Sequence, residues 1–372
     1  MQKRVINDIT ICHFIELFFI LGFTSITYKY NLYILLGFIP LLFLSNKSVY
    51  KSTFFFISTL LLFSTLYFLY QGGNSAFRVI KTMIVFLPFF YTNVLLRTKY
   101  SLSKFFEYFM NINAFLVCVD FCLFFLVGRT ITNFTTSGFM PRPCGLLEDS
   151  NFFSYLMLIY IFYFKWKYHY CKKIYVLSLF LSGSFAAIFF FLLLSVVLSF
   201  KKILNSKSLL LKMTIIFMSI SVIVVYDKNA INPIYILDIL SALDVNELLQ
   251  VKFVSMSNRF TTIANAMTEM KSIPDFIFGI GAGKTRTLSE IGLNMHNSLL
   301  QLFLEMGFFL LSMVIMLILS MLSYIKKIKW LIIFCVMLVL GVLLETLYSP
   351  LLSFVYFLSF SESYDYVIKK NI

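Results

Sequence analysis

The sequence NMHNSLLQ (294–301) places a histidine directly before a long apolar run. The imidazole of His296 titrates near neutral pH and could accept a proton from an attacking hydroxyl group. The alternative is a histidine that only forms hydrogen bonds at the start of a helix. Because a long polar segment meets the apolar run here, we predict that His296 is a general base, with Asn297 beside it. Glu305, about two turns later, either supports this site or pairs with a neighbouring helix.

Four basic residues could bind an anion: Arg259, Arg142, Arg78 and Lys81. Guanidinium groups bind phosphate through two parallel hydrogen bonds and stay charged in dry sites. The alternative for each is a side chain that reaches along the membrane surface to lipid headgroups. We predict that Arg259 and Arg142 bind phosphate, and that Arg78 and Lys81 contribute to the same anion site.

The sequence GIGAGKT (279–285) resembles a phosphate-binding P-loop but fails its spacing. That motif needs a glycine five residues before Gly283, and Phe278 stands there. A turn that closes the preceding segment back onto the membrane is the preferred interpretation.

The remaining potential ligands predict no metal and no cofactor. The three histidines, His13, His169 and His296, lie far apart, and the six cysteines have no metal or disulfide spacing. The net charge of +14 comes from Lys and Arg in short loops between apolar runs. This distribution is typical of cytoplasmic loops of membrane proteins and argues against a nucleic-acid partner.

The positioning elements must be membrane helices. Apolar residues make up 60% of the 372 positions and charged residues 13%, whereas soluble chains have roughly 45–50% and about 25%. The candidate spans are 9–27, 31–45, 53–70, 79–96, 109–127, 150–164, 174–200, 212–226, 297–324, 330–344 and 346–360.

The basic loops orient these spans. With the N-terminal MQKR in the cytoplasm, the inward loops 46–51, 97–104 and 165–173 are all basic. If 174–200 were a single span, the basic loop 201–212 would face outward. Two short helices hinged at Ser182-Gly183-Ser184 keep that loop inside. We therefore predict about twelve helices, a short helical hairpin and both termini in the cytoplasm.

Three regions follow from this topology: a transmembrane bundle at 1–226, a large outward loop with short helices at 227–295, and C-terminal transmembrane helices at 296–372. In the loop, Ser257 is a candidate N-cap. Pro274 and the glycines after it are predicted to end regular structure.

Asp120 lies inside the fifth span, where a carboxylate needs a partner. It belongs either to a proton path of a transporter or to a structural hydrogen bond. Asn111 and Asn113 indicate a wet internal surface nearby.

Three segments resemble the superfamily of O-antigen polymerases and O-antigen ligases. RPCGLLEDSNFFSYL (142–156) resembles the family's pattern of Arg, Gly, an acidic residue and Asn before a span. LSGSFAAIFF (181–190) resembles its short hairpin. FGIGAG (278–283) followed by HNSLLQLFLEMG (296–307) resembles its signature of a glycine-rich turn, His-Asn and Glu-x-Gly, which is the most specific of the three.

The resemblance implies a fold like that of membrane-embedded glycosyltransferases and a glycan transfer from undecaprenyl diphosphate at the outer face of the bacterial inner membrane. His296 matches the family's proposed base, and Arg259 matches its diphosphate clamp. The family's hairpin carries Ser-Arg where this chain has Ser184-Phe185. One phosphate contact of the family is therefore either missing in this chain or supplied by another arginine, Arg142 or Arg78.

Within this resemblance, a polymerase is favoured. It would join lipid-linked repeat units to a growing polysaccharide, with a chain-length regulator as a possible partner protein. A ligase that transfers the glycan to lipid A core shares the same signature. A flippase or another transporter of lipid-linked sugars fits the span number equally, although we find no internal repeat of the kind many transporters show.

Overall fold

The computed structural model describes residues 2–24, 37, 47–87, 103–132, 134–137, 140–147, 149–168, 172–199, 261–288, 298–325, 327–344 and 350–359. Helices account for 84% of these residues, which confirms the predicted helical class. In chain order they are α1 (Gln2–Phe23), α2 (Lys47–Gln71), α3 (Gly73–Ile84), α4 (Lys104–Val127), α5 (Ser150–Tyr168), α6 (Lys173–Leu181), α7 (Phe185–Ser199), α8 (261–269), α9 (Ile273–Phe278), α10 (Lys284–Thr287), α11 (Ser298–Tyr324), α12 (Ile328–Leu344) and α13 (Pro350–Ser359).

Three of the described helices are long and apolar enough to cross a membrane: α4, α11 and residues Phe54–Gln71 of α2. The faces of these helices that are not packed against the protein carry large apolar side chains, with Leu69 76% and Leu126 81% exposed. Such a surface is unfavourable in water but suits hydrocarbon, where the helix already satisfies its own backbone groups. The chain is therefore a helical membrane protein.

The predicted break of the 174–200 segment is confirmed. Helices α6 and α7 are separated by Ser182, Gly183 and Ser184, and Gly183 has a φ of 63°. Ser182 donates a hydrogen bond to Leu179, and its hydroxyl lies 2.6 Å from that of Ser154 on α5. The turn is thus held against α5.

The start of α6 is fixed to the start of α4. Lys172 lies 2.6 Å from Glu107, and the Tyr175 hydroxyl donates to Asn111 at 2.5 Å. Because α6 has nine residues, it rises about 14 Å, whereas the 24 residues of α4 rise about 36 Å. The hairpin therefore reaches only partway along α4.

Helices α1, α4 and α13 share an aromatic core. The ring of Phe354 stacks on Phe106 with centroids 5.1 Å apart and meets Phe19 edge-on at 5.3 Å. Glu16 of α1 accepts hydrogen bonds from the backbone N–H and the hydroxyl of Ser103, the N-cap of α4. This cap explains why α4 begins five residues before the predicted span at 109.

The segment between α4 and α5 runs back along α4. Asp120 accepts hydrogen bonds from the backbone N–H groups of Ile131 at 2.6 Å and Thr132 at 3.2 Å. Asn113 accepts one from the backbone N–H of Leu146 at 2.9 Å. Asn113 precedes the end of α4 by 14 residues, so the chain returns about 21 Å along the helix.

This returning segment contains two short strands that the sequence did not predict. Strands β1 (Phe134–Ser137) and β2 (Met140–Pro143) pair antiparallel, with Thr135 opposite Arg142. An isolated bridge joins Thr24, at the end of α1, to Leu147. A segment that pairs with itself satisfies backbone groups that would otherwise be orphaned among apolar helices.

Several predictions lie outside the described residues: the candidate span 31–45 apart from residue 37, the candidate span 212–226, the N-cap at Ser257 and most of the large outward loop. One prediction within that loop is wrong. Pro274 does not end regular structure but lies in the first turn of α9, where a proline loses no hydrogen bond.

Candidate functional site

A break in α11 organises the first polar cluster. Gly307 interrupts this helix with φ 75° and ψ 179°. The carbonyl groups before a break lose their usual partners in the next turn. Here the backbone N–H of Ile280 donates to Leu304 at 2.8 Å, and that of Gly281 donates to Glu305 at 3.0 Å. We call residues 279–283 the glycine loop and residues 298–306 the half-helix.

Side chains of α2 provide further hydrogen bonds at the break. The Tyr67 hydroxyl donates to the carbonyl of Met306 and lies beside the backbone N–H of Leu310. A side chain inserted into the helical ladder is a recognised cause of a kink. Gln71 donates to the carbonyls of Phe278 at 2.7 Å and Gly279 at 2.5 Å, so α2 contacts both the helix and the loop.

Only glycine fits at the two positions where the loop and the half-helix meet. Gly279 and Gly307 both have positive φ. A Cβ at Gly279 would collide with the backbone of Glu305, and one at Gly307 would collide with the carbonyl of Ile277. The glycine pattern of the sequence thus reflects a close backbone approach.

Glu305 joins three elements through its carboxylate. The side chain is buried, with 1% exposed. It accepts hydrogen bonds from the Thr285 hydroxyl of α10 and from Gln301 at 3.1 Å, and Arg78 of α3 lies 3.8 Å away. Of the two predicted roles for Glu305, pairing with neighbouring elements describes this geometry. Arg78 is a quarter exposed.

The glycine loop also contacts α3 directly, because the Ala282 backbone N–H donates to the Ser75 hydroxyl at 3.0 Å. The backbone N–H groups of 280, 281 and 282 are therefore all engaged within the protein. In a P-loop such groups would point at phosphate, so this geometry agrees with the preferred interpretation of GIGAGKT as a turn. Lys81, one turn after Arg78 on α3, is half-buried.

The second polar cluster lies at the hairpin tip and contains Arg142. Its guanidinium donates to Asn151 at 2.8 Å, and the Ser184 hydroxyl donates to the same Asn151 oxygen at 3.1 Å. The aliphatic part of Arg142 covers Gly183, with Cγ 3.2 Å from where a Cβ would stand. We call Arg142, Asn151, Tyr155, Ser150 and Ser184 the hairpin-tip cluster.

Two buried atoms of this cluster have no hydrogen-bond partner among the described residues: Arg142 Nε and the Ser150 hydroxyl. The Tyr155 hydroxyl lies beside the Ser184 side chain and within electrostatic reach of Arg142 and Asp149. Asp149 caps α5 by accepting a hydrogen bond from the Asn151 backbone N–H at 2.6 Å. Buried donors without partners are unfavourable unless a ligand supplies acceptors.

The structure places some of the predicted site residues in the two polar clusters. Arg78 lies 3.8 Å from Glu305 beside the glycine loop, and Arg142 belongs to the hairpin-tip cluster. His296, Asn297 and Arg259 lie outside the described residues. Asp120 has a structural role, since backbone N–H groups occupy its carboxylate.

Sequence reasoning missed a polar stripe that spans the junction of α2 and α3. Tyr67, Gln71, Ser75 and Arg78 follow one another at intervals of four, four and three residues. This is the spacing of one helix face, and all four contact the glycine loop, the half-helix or both. The interval would have revealed the stripe despite the two glycines within it.

Comparisons of the chain with protein-family models, with curated proteins and with solved structures found no match.

Proposed function

We propose that this chain is a membrane glycosyltransferase that polymerises a surface polysaccharide. It joins repeat units carried on undecaprenyl diphosphate, as an O-antigen polymerase does, at the periplasmic face of the bacterial inner membrane. The predicted topology, with about twelve helices and both termini in the cytoplasm, would put the large outward loop, the hairpin tip and His296 on that face. The half-length hairpin supports this topology, because the basic segment after α7 then stays inside.

One observation carries the proposal: Arg142 lies over the hairpin turn. The family that this sequence resembles has an arginine in that hairpin, whereas this chain has Phe185. Arg142 brings a guanidinium to the same turn from β2, and its buried Nε has no partner among the described residues. This geometry supports a site that would bind a diphosphate.

The chemistry needs few groups. His296 takes the proton of the acceptor hydroxyl while the acceptor oxygen bonds to the anomeric carbon. The bond from that carbon to the diphosphate oxygen breaks on the opposite face, so the configuration inverts and undecaprenyl diphosphate leaves. Arg142 and Arg259 stabilise the negative charge that develops on the leaving group, which is most effective in a site of low dielectric constant.

The decisive experiment is the surface glycan profile of a deletion strain on a gel, with wild-type and His296→Ala genes returned on a plasmid. We expect single repeat units attached to core in the deletion strain, and no long chains with His296→Ala although the protein reaches the membrane. Normal chains with His296→Ala would exclude His296 as the base.

Two other outcomes would replace the proposal. Long chains that accumulate on the lipid carrier would identify a ligase. Unpolymerised units that accumulate on the cytoplasmic side would identify a transporter, and the roles of His296, Arg259 and Arg142 in transfer would be wrong.

A further inference from the structure

The half-helix and the glycine loop form one unit that is attached to the rest of α11 across a break. The half-helix begins at Ser298, two residues after His296, and ends before Gly307. Because Gly307 interrupts the helical hydrogen bonds, the rest of α11 cannot by itself fix the direction of the half-helix. Contacts from other elements must do so.

The Glu305 carboxylate is the point where those contacts converge. It is bonded to Thr285 after the glycine loop, to Gln301 within the half-helix, and lies near Arg78 on α3. A buried carboxylate is strongly unfavourable unless several donors hold it. Any displacement of the loop or of α3 would therefore remove donors from a charge that water does not reach.

The backbone contacts make this arrangement specific in register. Ile280 and Gly281 donate to consecutive carbonyls of the half-helix, and the glycines at 279 and 307 allow the two backbones to touch. A shift of one residue would bring a side chain into each close approach.

We infer that Glu305 is a positioning residue. Its carboxylate holds the glycine loop and α3 against the half-helix, and we call these contacts the latch. The latch thereby fixes the direction of the half-helix, which leads from His296 into the membrane. The inference rests on the proposed function, in which His296 is the base. A general base acts only within hydrogen-bond reach of the proton it removes, and a displacement of about 1 Å can lower a rate about a hundredfold.

The chain provides a matched pair of variants in α10. Thr285 is buried and donates to Glu305. Thr287, two residues on, is exposed and donates to the Lys284 carbonyl of its own helix at 2.8 Å. Thr285→Val breaks the latch, Thr285→Ser keeps the hydroxyl, and Thr287→Val is the control. Glu305→Gln tests the carboxylate directly.

The rate of trypsin cleavage near Thr285 reports whether these contacts hold, independently of any enzymatic activity. The bonds after Lys284 and Arg286 flank Thr285, and the bond after the exposed Lys271 serves as an internal reference. In purified full-length protein in nanodiscs, we expect Thr285→Val and Glu305→Gln to raise cleavage after Lys284 and Arg286 about tenfold over cleavage after Lys271. A hydrogen bond to a charged group accounts for a factor of that order.

Transfer kinetics with lipid-linked units measure the positioning. We expect kcat to fall about tenfold in Thr285→Val and Glu305→Gln with KM unchanged, and both Thr285→Ser and Thr287→Val to behave as wild type. Unchanged cleavage would overturn the latch, and raised cleavage with unchanged kcat would overturn the positioning role. Failure of the proposed function would be distinct, because the wild-type protein would then transfer no lipid-linked units, whereas the trypsin measurement would still show whether Thr285 and Glu305 hold the glycine loop.

Discussion

The glycine loop and the hairpin tip are both polar clusters packed against membrane helices, but their arginines have different partners. At the glycine loop, Thr285 and Gln301 donate to the Glu305 carboxylate, and Arg78 lies 3.8 Å from it. At the hairpin tip, Arg142 donates to the Asn151 amide, and the buried atoms without partners among the described residues are its Nε and the Ser150 hydroxyl.

This difference distinguishes a cluster that connects structural elements from a cluster that can bind a ligand. At the glycine loop the charge of Arg78 is opposed by the Glu305 carboxylate, whereas the Arg142 guanidinium donates to a neutral amide and can still bind a diphosphate. We therefore assign structural work to the glycine loop, although it carries the most recognisable motif in the sequence, and ligand binding to the hairpin tip.

Substitution of one glycine in each region should give the largest contrast. In Gly307→Ala the new methyl group would collide with backbone atoms of Ile277 and Gly279. In Gly183→Ala it would meet only the side chain of Arg142, which can move. We expect Gly307→Ala to lose about 4 kcal/mol or more, and with it the folded protein, and Gly183→Ala to lose about 1–2 kcal/mol from positive φ.

Membrane yield and the thermal unfolding midpoint in detergent would measure both variants. Equal losses of yield and of thermal stability in the two variants would mean that the close backbone approach at Gly307 does not hold the glycine loop against the half-helix.

The next largest effect is expected at Arg142. Arg142→Ala removes the guanidinium that faces the proposed leaving group, and loss of one such donor lowers kcat about a hundredfold or more. The matched control is Arg129→Ala, because Arg129 is exposed in the same segment between α4 and α5. We expect that control to retain wild-type transfer rates in an assay with lipid-linked units.

The conservative variant Arg142→Lys keeps the charge but lacks the fork of donors. We expect it to remain impaired. If Arg142→Ala lost thermal stability while its transfer rate stayed normal, the hairpin tip would be a structural cluster like the glycine loop, and the contrast between the two would disappear.

Local rules predicted most of the described helices and one break, but not the break at Gly307, which lies inside the predicted span 297–324. The turn at Ser182-Gly183-Ser184 followed from helix length and from the charge of the next loop. The sequence could not show that α4 begins at Lys104, because the Ser103 cap depends on a hydrogen bond pattern that apolar periodicity does not report.

The candidate site was harder to predict because its contacts join residues far apart in the chain. Arg142 was predicted to bind phosphate, but its place over Gly183 depends on a segment that folds back along α4. Tyr67 and Met306 are separated by 239 positions. Pairings over such distances are decided by how helices pack. Only the helical spacing of Tyr67, Gln71, Ser75 and Arg78 could have been recognised in the sequence, and it was missed.

The smallest effect is expected at α9, which directly precedes the glycine loop. It tests whether the buried carboxylate of Glu305 or the exposed cap of α9 keeps the glycine loop ordered. Ser272 caps α9 and donates to Asp275 at 2.6 Å, which holds the pKa of that exposed carboxyl below its ordinary value of 3.8. A lowered pKa in the folded state means that the stabilisation is present above that ordinary value and is lost as the pH falls through the lowered pKa. Hydrogen exchange at the Gly279 backbone N–H, which donates to the Asp275 carbonyl at 2.7 Å, should therefore show slightly less protection at pH 3 than at pH 6. Asp275→Asn should abolish the difference, and Glu269→Gln should not. Loss of protection across the whole glycine loop that Asp275→Asn reproduces at pH 6 would mean that the surface cap, rather than Glu305, holds the loop in place.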